Sequence, residues 1–269
     1  MSPLQRMLPA GLLLVLPTLA SGYAFTIITA NGAIKQNQVS GQPLIWGNPQ
    51  QFFSFNFNSG NKSQDFNSSA VSAMEEWNRV NTPVQYQLGS SGAQTCTTDG
   101  YNSAGWGTTA CNGQPFGDSL AITQRSYVQI GGNWYLREAD IVLDQSRNWQ
   151  LYTGGLRLGV QDLHRVILHE LGHTLGLDHP DEAGQTVTAI MNSHTSDIET
   201  LQADDRNGIR NLYAGGFGSA SNTANQTADN GGSGVGGGGG GDLTTALLAL
   251  IALAVRRAMG KSSPQANQW

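Results

Sequence analysis

Residues 169 to 179 read His-Glu-Leu-Gly-His-Thr-Leu-Gly-Leu-Asp-His, which fixes the spacing of three imidazoles around a glutamate and a pair of glycines. Leu163 to Leu171 contain no Pro or Gly and are rich in Leu, Ile and Val, so a buried helix is expected there, reaching about Thr174. At about 3.6 residues per turn, His169 and His173 lie one turn apart, roughly 40° around the axis, and both rings can reach one metal ion. Gly176 is suited to leave the helix with φ > 0, folding the chain so that His179 returns beneath the same ion as third ligand. Three protein ligands leave one tetrahedral position of a Zn²⁺ for water, which is a catalytic arrangement and not a closed structural one. Glu170, adjacent to His169, can face that water. Zinc lowers the water's pKa from about 15.7 toward about 7, and a carboxylate can then take its proton as general base while the metal polarises a carbonyl. That set describes peptide hydrolysis.

The extended motif resembles the metzincin clan of zinc peptidases, which pairs it with a downstream methionine turn. Here the turn is Ala189-Ile190-Met191-Asn192, and the resemblance makes Met191 an apolar floor under the imidazoles. The stretch from Leu201 to Tyr213, with its Gly-Ile-Arg-Asn-Leu-Tyr ending, resembles the final helix of matrixins. In astacins and serralysins a Tyr two residues after the Met can ligate zinc; here that position is Ser193, so no fifth ligand is implied. Pro180 is serralysin-like, but the nonapeptide calcium repeats of serralysins are missing. The resemblance therefore points to a matrixin of bacterial type. Vertebrate matrixins hold a second, structural zinc with upstream histidines and keep latency with a propeptide cysteine. This sequence has no His before His164, and its two cysteines, Cys96 and Cys111, lie inside the expected catalytic domain.

The fold that the resemblance implies is an α+β zincin: a twisted mixed five-stranded sheet with an antiparallel edge strand, an active-site helix behind it and a C-terminal helix. In that family an extended substrate joins the edge strand, satisfying its unpaired backbone groups. The residues support several of these elements. Gln51 to Phe57 alternates aromatic and polar residues as a strand does. Ser68 to Val80 carries Val71, Met74 and Trp77 on one helical face, with Asn67 or Ser68 as its cap. Val84 to Leu88, Leu120 to Gln124 and Ala139 to Leu143 read as strands, and Tyr127 to Tyr135 as an edge hairpin around Gly131-Gly132, placing the edge strand within 127–136.

Other polar residues admit two readings. His164 precedes His169 by a rotation of about 140° and should point away from the metal. His194 follows the methionine turn, where matrixin-like enzymes build the wall of a substrate pocket; a solvated loop histidine fits equally. Asp144, Asp178, Asp181 and Glu182 are candidate Ca²⁺ ligands or solvated loop acids, calcium being suggested by the family alone. Cys96 and Cys111 most simply pair with each other, closing a loop worth about 2–4 kcal/mol.

The ends of the chain bear on compartment. Residues 1–24, with an apolar run from Met7 to Ala20 and small residues at Gly22 and Ala24, read as a secretory signal cut near Ala24-Phe25, which implies the Sec export machinery. Residues 25–217 are the expected catalytic domain, and 218–241 a glycine-rich flexible linker. Residues 242–269 hold a short apolar helix, Leu243 to Val255, and then Arg256 and Arg257. That run is too short for an ordinary transmembrane helix, though a basic pair suits retention at a membrane. The tail resembles the GlyGly-CTERM sorting signal, which implies removal by rhombosortase and type II secretion; a permanent anchor is the other reading. The expected product is extracellular or at the cell surface, with transient anchoring. A net charge of −5 with 14 Lys plus Arg leaves no basic patch, so nucleic acid is not an expected partner; protein or peptide substrates are. A zinc-carrying surface-binding or adhesion module would share the three histidines, but it has no need of Glu170.

Overall fold

The computed structural model describes residues 22–29, 33–57, 65–90 and 93–217, together with the backbone of 251–254. Most of the expected signal segment, the glycine-rich linker and nearly all of the sorting tail lie outside the described residues. The elements run β1 (Ala24–Ile28), β2 (Ile34–Gln38), β3 (Ile45–Trp46), β4 (Gln50–Asn56), α1 (Phe66–Asn78), β5 (Gln85–Leu88), β6 (Asn102–Gly107), β7 (Ala121–Ile130) and β8 (Asn133–Asp144). They continue through β9 (Trp149–Gln150), β10 (Gln161–Asp162), α2 (Leu163–Thr174), β11 (Leu177–Asp178), α3 (Ala203–Leu212) and β12 (Ile251–Ala254).

The main sheet is ordered β12-β7-β8-β6-β4-β5, with β3 also paired to β8. β5, β4, β6 and β8 are mutually parallel, and β7 runs against them. Its core is thus five strands with β7 as the antiparallel member. β12 then adds antiparallel to the outer side of β7, Leu253 opposite Thr123. The expected short tail helix is not what residues 251–254 form: the open edge of β7 offers unpaired amides and carbonyls that an extended segment satisfies. Among the described residues no helix is long and apolar enough to cross a membrane.

Several boundaries differ from expectation for identifiable reasons. The edge strand starts at Ala121, not within 127–136, because Leu120 to Gln124 and the hairpin belong to one long ladder. The pairing slips at Ser126/Tyr127, where Ser126 faces Glu138 and Tyr127 faces Leu136, leaving Arg137 of β8 opposite no residue, so the alternation of β8 changes phase there and the ladder reads as separate strands. β6 was not expected at all. Its sequence, Asn-Ser-Ala-Gly-Trp-Gly, has little strand propensity, yet it lies between β4 and β8, where Ser103 and Ala104 are wholly buried. α1 begins earlier than read, with Asp65 as cap accepting the Ser68 amide at 2.9 Å.

The two central helices pack beneath the sheet. α1 buries Phe66, Ala70, Ala73, Met74 and Trp77, and Trp77 Nε1 donates to the Leu168 carbonyl on α2 at 2.8 Å. α2 starts at Asp162, whose carboxylate accepts the Arg165 amide, and every residue but His164 is buried. A second, three-stranded sheet, β11-β1-β2, was also not expected, since the first strand was read at Gln51. Its β1 pairs with the two residues of β11 just before His179, Ala24 with Asp178 and Phe25 with Leu177, so the expected signal cut would fall inside a strand. A smaller apolar cluster of Ala110, Phe116, Ile122 and Val142 lies under the Cys96–Cys111 disulfide.

Candidate metal centre

α2 presents His169 and His173 one turn apart, and its end is set by Gly176 at φ 101°. A side chain there would meet the Leu44 carbonyl at 2.6 Å, so the glycine serves both the turn and the close approach of β3's preceding residue. The chain then crosses β11 and brings His179 under the helix. The three Nε2 atoms stand 3.0, 3.1 and 3.3 Å apart, and all three residues are buried. Among the described residues they are the one group of His, Cys, Asp or Glu side chains grouped closely enough to hold a metal ion.

Their outer nitrogens decide the tautomers. His169 Nδ1 lies 2.7 Å from the Ile190 carbonyl and His173 Nδ1 2.8 Å from the Leu177 carbonyl; a carbonyl only accepts, so Nδ1 carries the proton. His179 Nδ1 lies 3.2 Å from Glu182 Oε2. With Nδ1 protonated on each ring, three Nε2 lone pairs converge, an arrangement that a metal cation satisfies. Burial, aided by the neighbouring rings, lowers His169 to about 3 and His173 well below 6.5, so neither ring carries charge of its own near neutrality.

Glu170 follows His169 on α2 and is completely buried. Thr123 Oγ1, from β7, donates to Glu170 Oε2 at 2.5 Å. Oε1 has no hydrogen-bond partner among the described residues, which leaves one oxygen of a fixed carboxylate available for chemistry. Burial pushes Glu170 up to about 8, against the Thr123 hydrogen bond and the Arg125 charge, which hold it down. A carboxyl so placed can gain and lose a proton near neutrality.

Met191 packs against Gly172 of α2, where a Cβ would come within 2.2 Å of its sulfur. The turn that carries Met191 is fastened from α3: Asp205 accepts the Ile190 and Met191 amides at 3.0 and 3.2 Å. The Ile190 carbonyl in turn accepts a hydrogen bond from His169 Nδ1, so α3 reaches the first histidine through two hydrogen bonds. On the other side, Arg125 of β7 donates to the His173 carbonyl, to Thr26 Oγ1 and to Asp178 Oδ1 at 3.1 Å. Arg125 and Asp178 are both fully buried, and removing one partner would strand the other at a cost of about 3–5 kcal/mol.

The structure separates the remaining candidates. His164 turns to Ser69 on α1, away from the three rings. His194 is part exposed and bonds Ser193 Oγ at 2.7 Å, and Ser193 itself is tied to Asp181. Asp144, Asp178, Asp181 and Glu182 do not converge: Asp144 pairs with Arg147, Asp178 with Arg125, Asp181 with Ser193 and Glu182 with Asn37. Thr123, Arg125, Asn37 and Asp205 were missed in the sequence. Thr123 and Arg125 had a signal, because alternate residues of one strand share a face; Asn37 had none, since it meets the site across 142 residues.

Comparison with known proteins agrees with this geometry. Residues 51–214 match the family model described as Matrixin. The chain is 33 % identical over 100 residues to interstitial collagenase of Equus caballus, covering 36 % of this chain and 18 % of that protein. It is 32 % identical over 107 residues to the hatching enzyme of Paracentrotus lividus, covering 40 % and 17 %. To Metalloendoproteinase 5-MMP of Arabidopsis thaliana it is 26 % identical over 172 residues, covering 61 % and 44 %. The matched regions thus span less than half of each relative. Because the family model covers well over half of the sequence, the chain belongs to the matrixin family of zinc metallopeptidases.

Proposed function

We propose that this protein is an exported zinc endopeptidase, a single-zinc matrixin of bacterial type, in which His169, His173 and His179 hold the metal and Glu170 is the general base. One observation carries the reading: three buried imidazole nitrogens converge beside a buried carboxylate that has one oxygen tethered and the other open. The zinc, when bound, supplies Lewis acidity, lowering the pKa of a ligated water toward about 7 and polarising a peptide carbonyl. Glu170 would accept at Oε1 a proton from the attacking water as its oxygen bonds the carbonyl carbon, and would return that proton to the amide nitrogen as the C–N bond breaks, leaving a carboxylic acid and an amine. β7 orients the substrate, its outer side taking an extended peptide as an added strand in the place that β12 holds in this structure. Met191 and Asp205 hold the floor, and His194 lines the pocket beyond the scissile bond.

Cleavage of casein and of a peptide library by the full chain, with and without chelator and beside Glu170→Ala, tests this. Activity that chelator abolishes, and that the variant lacks while still binding zinc, is expected. Stoichiometric zinc with no cleavage would favour the adhesion module instead. Export rests on the apolar run of residues 1–24, and transient anchoring on the glycine-rich linker, apolar stretch and basic pair of the tail. Mass spectrometry of the mature C-terminus distinguishes a removed sorting tail from one that keeps Trp269.

A further inference from the structure

The three ring nitrogens facing outward are not held alike. Those of His169 and His173 bond backbone carbonyls, of Ile190 in the methionine turn and of Leu177 in β11, whereas that of His179 meets a side chain, Glu182 Oε2 at 3.2 Å. That carboxylate is itself held from outside: Asn37 Nδ2 donates to the same Oε2 at 2.8 Å. Asn37 makes two further bonds to the segment. Its Oδ1 accepts the His179 amide at 3.1 Å, and its own amide donates to Asp178 Oδ2 at 3.1 Å. To reach all three, Asn37 sits at φ 54°, a left-handed conformation that asparagine tolerates better than most residues and that persists only where surroundings enforce it. β2, which carries it, is joined to β1, and β1 to β11 next to His179. Asn37 also lies ahead of residues 51–214, the part matched to the family.

We propose that Asn37 and Glu182 form a clamp that positions the third metal ligand and sets the affinity of the centre for zinc. The inference rests on the ligand set proposed above. A carboxylate accepting an imidazole N–H orients the ring and raises the basicity of its other nitrogen, and loss of such a partner generally costs 10–100-fold in metal affinity. Asn37 keeps Glu182 on the ring and the His179 backbone in register, so the N-terminal hairpin works as part of the metal site. Both are positioning residues; neither touches the metal or the substrate.

The test measures zinc dissociation constants of the full-length protein by competition with a chromogenic chelator, beside the melting temperature of each zinc-free form. Glu182→Gln keeps size and removes the charge. Asn37→Gly keeps the backbone conformation and removes the side chain. Each is expected to weaken zinc about tenfold or more, with the zinc-free melting temperature unchanged. The double variant should lose less than the two single losses combined, because Asn37 acts partly through Glu182. Dissociation constants within twofold of wild type in both variants would overturn the clamp, as would losses that track a fall in zinc-free stability. If Asn37→Gly does not fold, Glu182→Gln, altered at an exposed side chain, decides alone. A wild-type protein that binds no zinc would instead refute the ligand set.

Discussion

Thr123 is the residue through which the sheet speaks to the carboxylate. Its hydroxyl fixes one oxygen of Glu170 at 2.5 Å, so the other is aimed without search. Thr123→Val keeps the branched shape and removes the donor, leaving a buried carboxylate oxygen unsatisfied. We expect kcat to fall about tenfold, equivalent to roughly 1.4 kcal/mol of barrier. KM and bound zinc, by steady-state kinetics and metal analysis, should stay near wild type, and Thr123→Ser should recover most of the loss. At this scale the sequence was legible where chemistry is local. His169, Glu170 and His173 follow one another on a single helix, and Gly176 determines where His179 arrives. Asn37 reaches the same centre from a distant segment, so no spacing rule could place it; Thr123 and Arg125 share a strand face, but nothing local to that strand says that the face meets α2.

Among the elements, α2 is pinned on its buried side by a glycine that the motif spacing alone does not explain. A methyl at Gly172 would lie 2.2 Å from Met191 Sδ and 2.9 Å from Trp77 Cζ2. Alanine in mid-helix ordinarily gains about 1 kcal/mol over glycine; here overpacking, at about 1–3 kcal/mol, should outweigh it. Thermal unfolding of Gly172→Ala should therefore show a lower midpoint than wild type, and an unchanged or raised midpoint would mean that Met191 can move aside. α1 was legible from its repeating apolar face and α2 from an apolar run free of Pro and Gly, whereas α3, only ten residues long, was read from its likeness to the matrixin final helix. The strands were less so. β6 has too little strand propensity to be seen, the bulge in the β7–β8 ladder breaks its alternation, and β1 and β2 acquire meaning only from β11, which forms after the helix has turned.

For the molecule as a whole, two features away from the metal set stability. The Cys96–Cys111 bridge fastens the loop over the small apolar cluster, and replacing both cysteines by serine should cost about 2–4 kcal/mol in urea unfolding. Beside that loop, Asp140 is pushed up to about 8, chiefly by burial and further by the Glu138 charge, despite bonds from Ser103 and the Cys96 amide. The folded protein thus retains a proton at Asp140 between its ordinary 3.8 and about 8, where the unfolded chain has lost it. Stability from this group falls as pH rises through that window and levels off above it. The buried histidines act oppositely, adding stability as pH rises toward their ordinary 6.5, so the decline should emerge between 6.5 and about 8. Urea midpoints across that interval should fall in wild type and fall less in Asp140→Asn; equal slopes would exclude Asp140 as the source. β7 runs through the middle of this arrangement with its labour divided by parity. Ala121, Thr123, Arg125 and Tyr127 are buried, while Gln124, Ser126 and Val128 are partly open. Within the first set, Thr123 and Arg125 are a fixed jaw bolted to Glu170 and to the His173 backbone. If a peptide pairs with β7 as proposed, changes in the second set should recut peptide preference without retuning the metal.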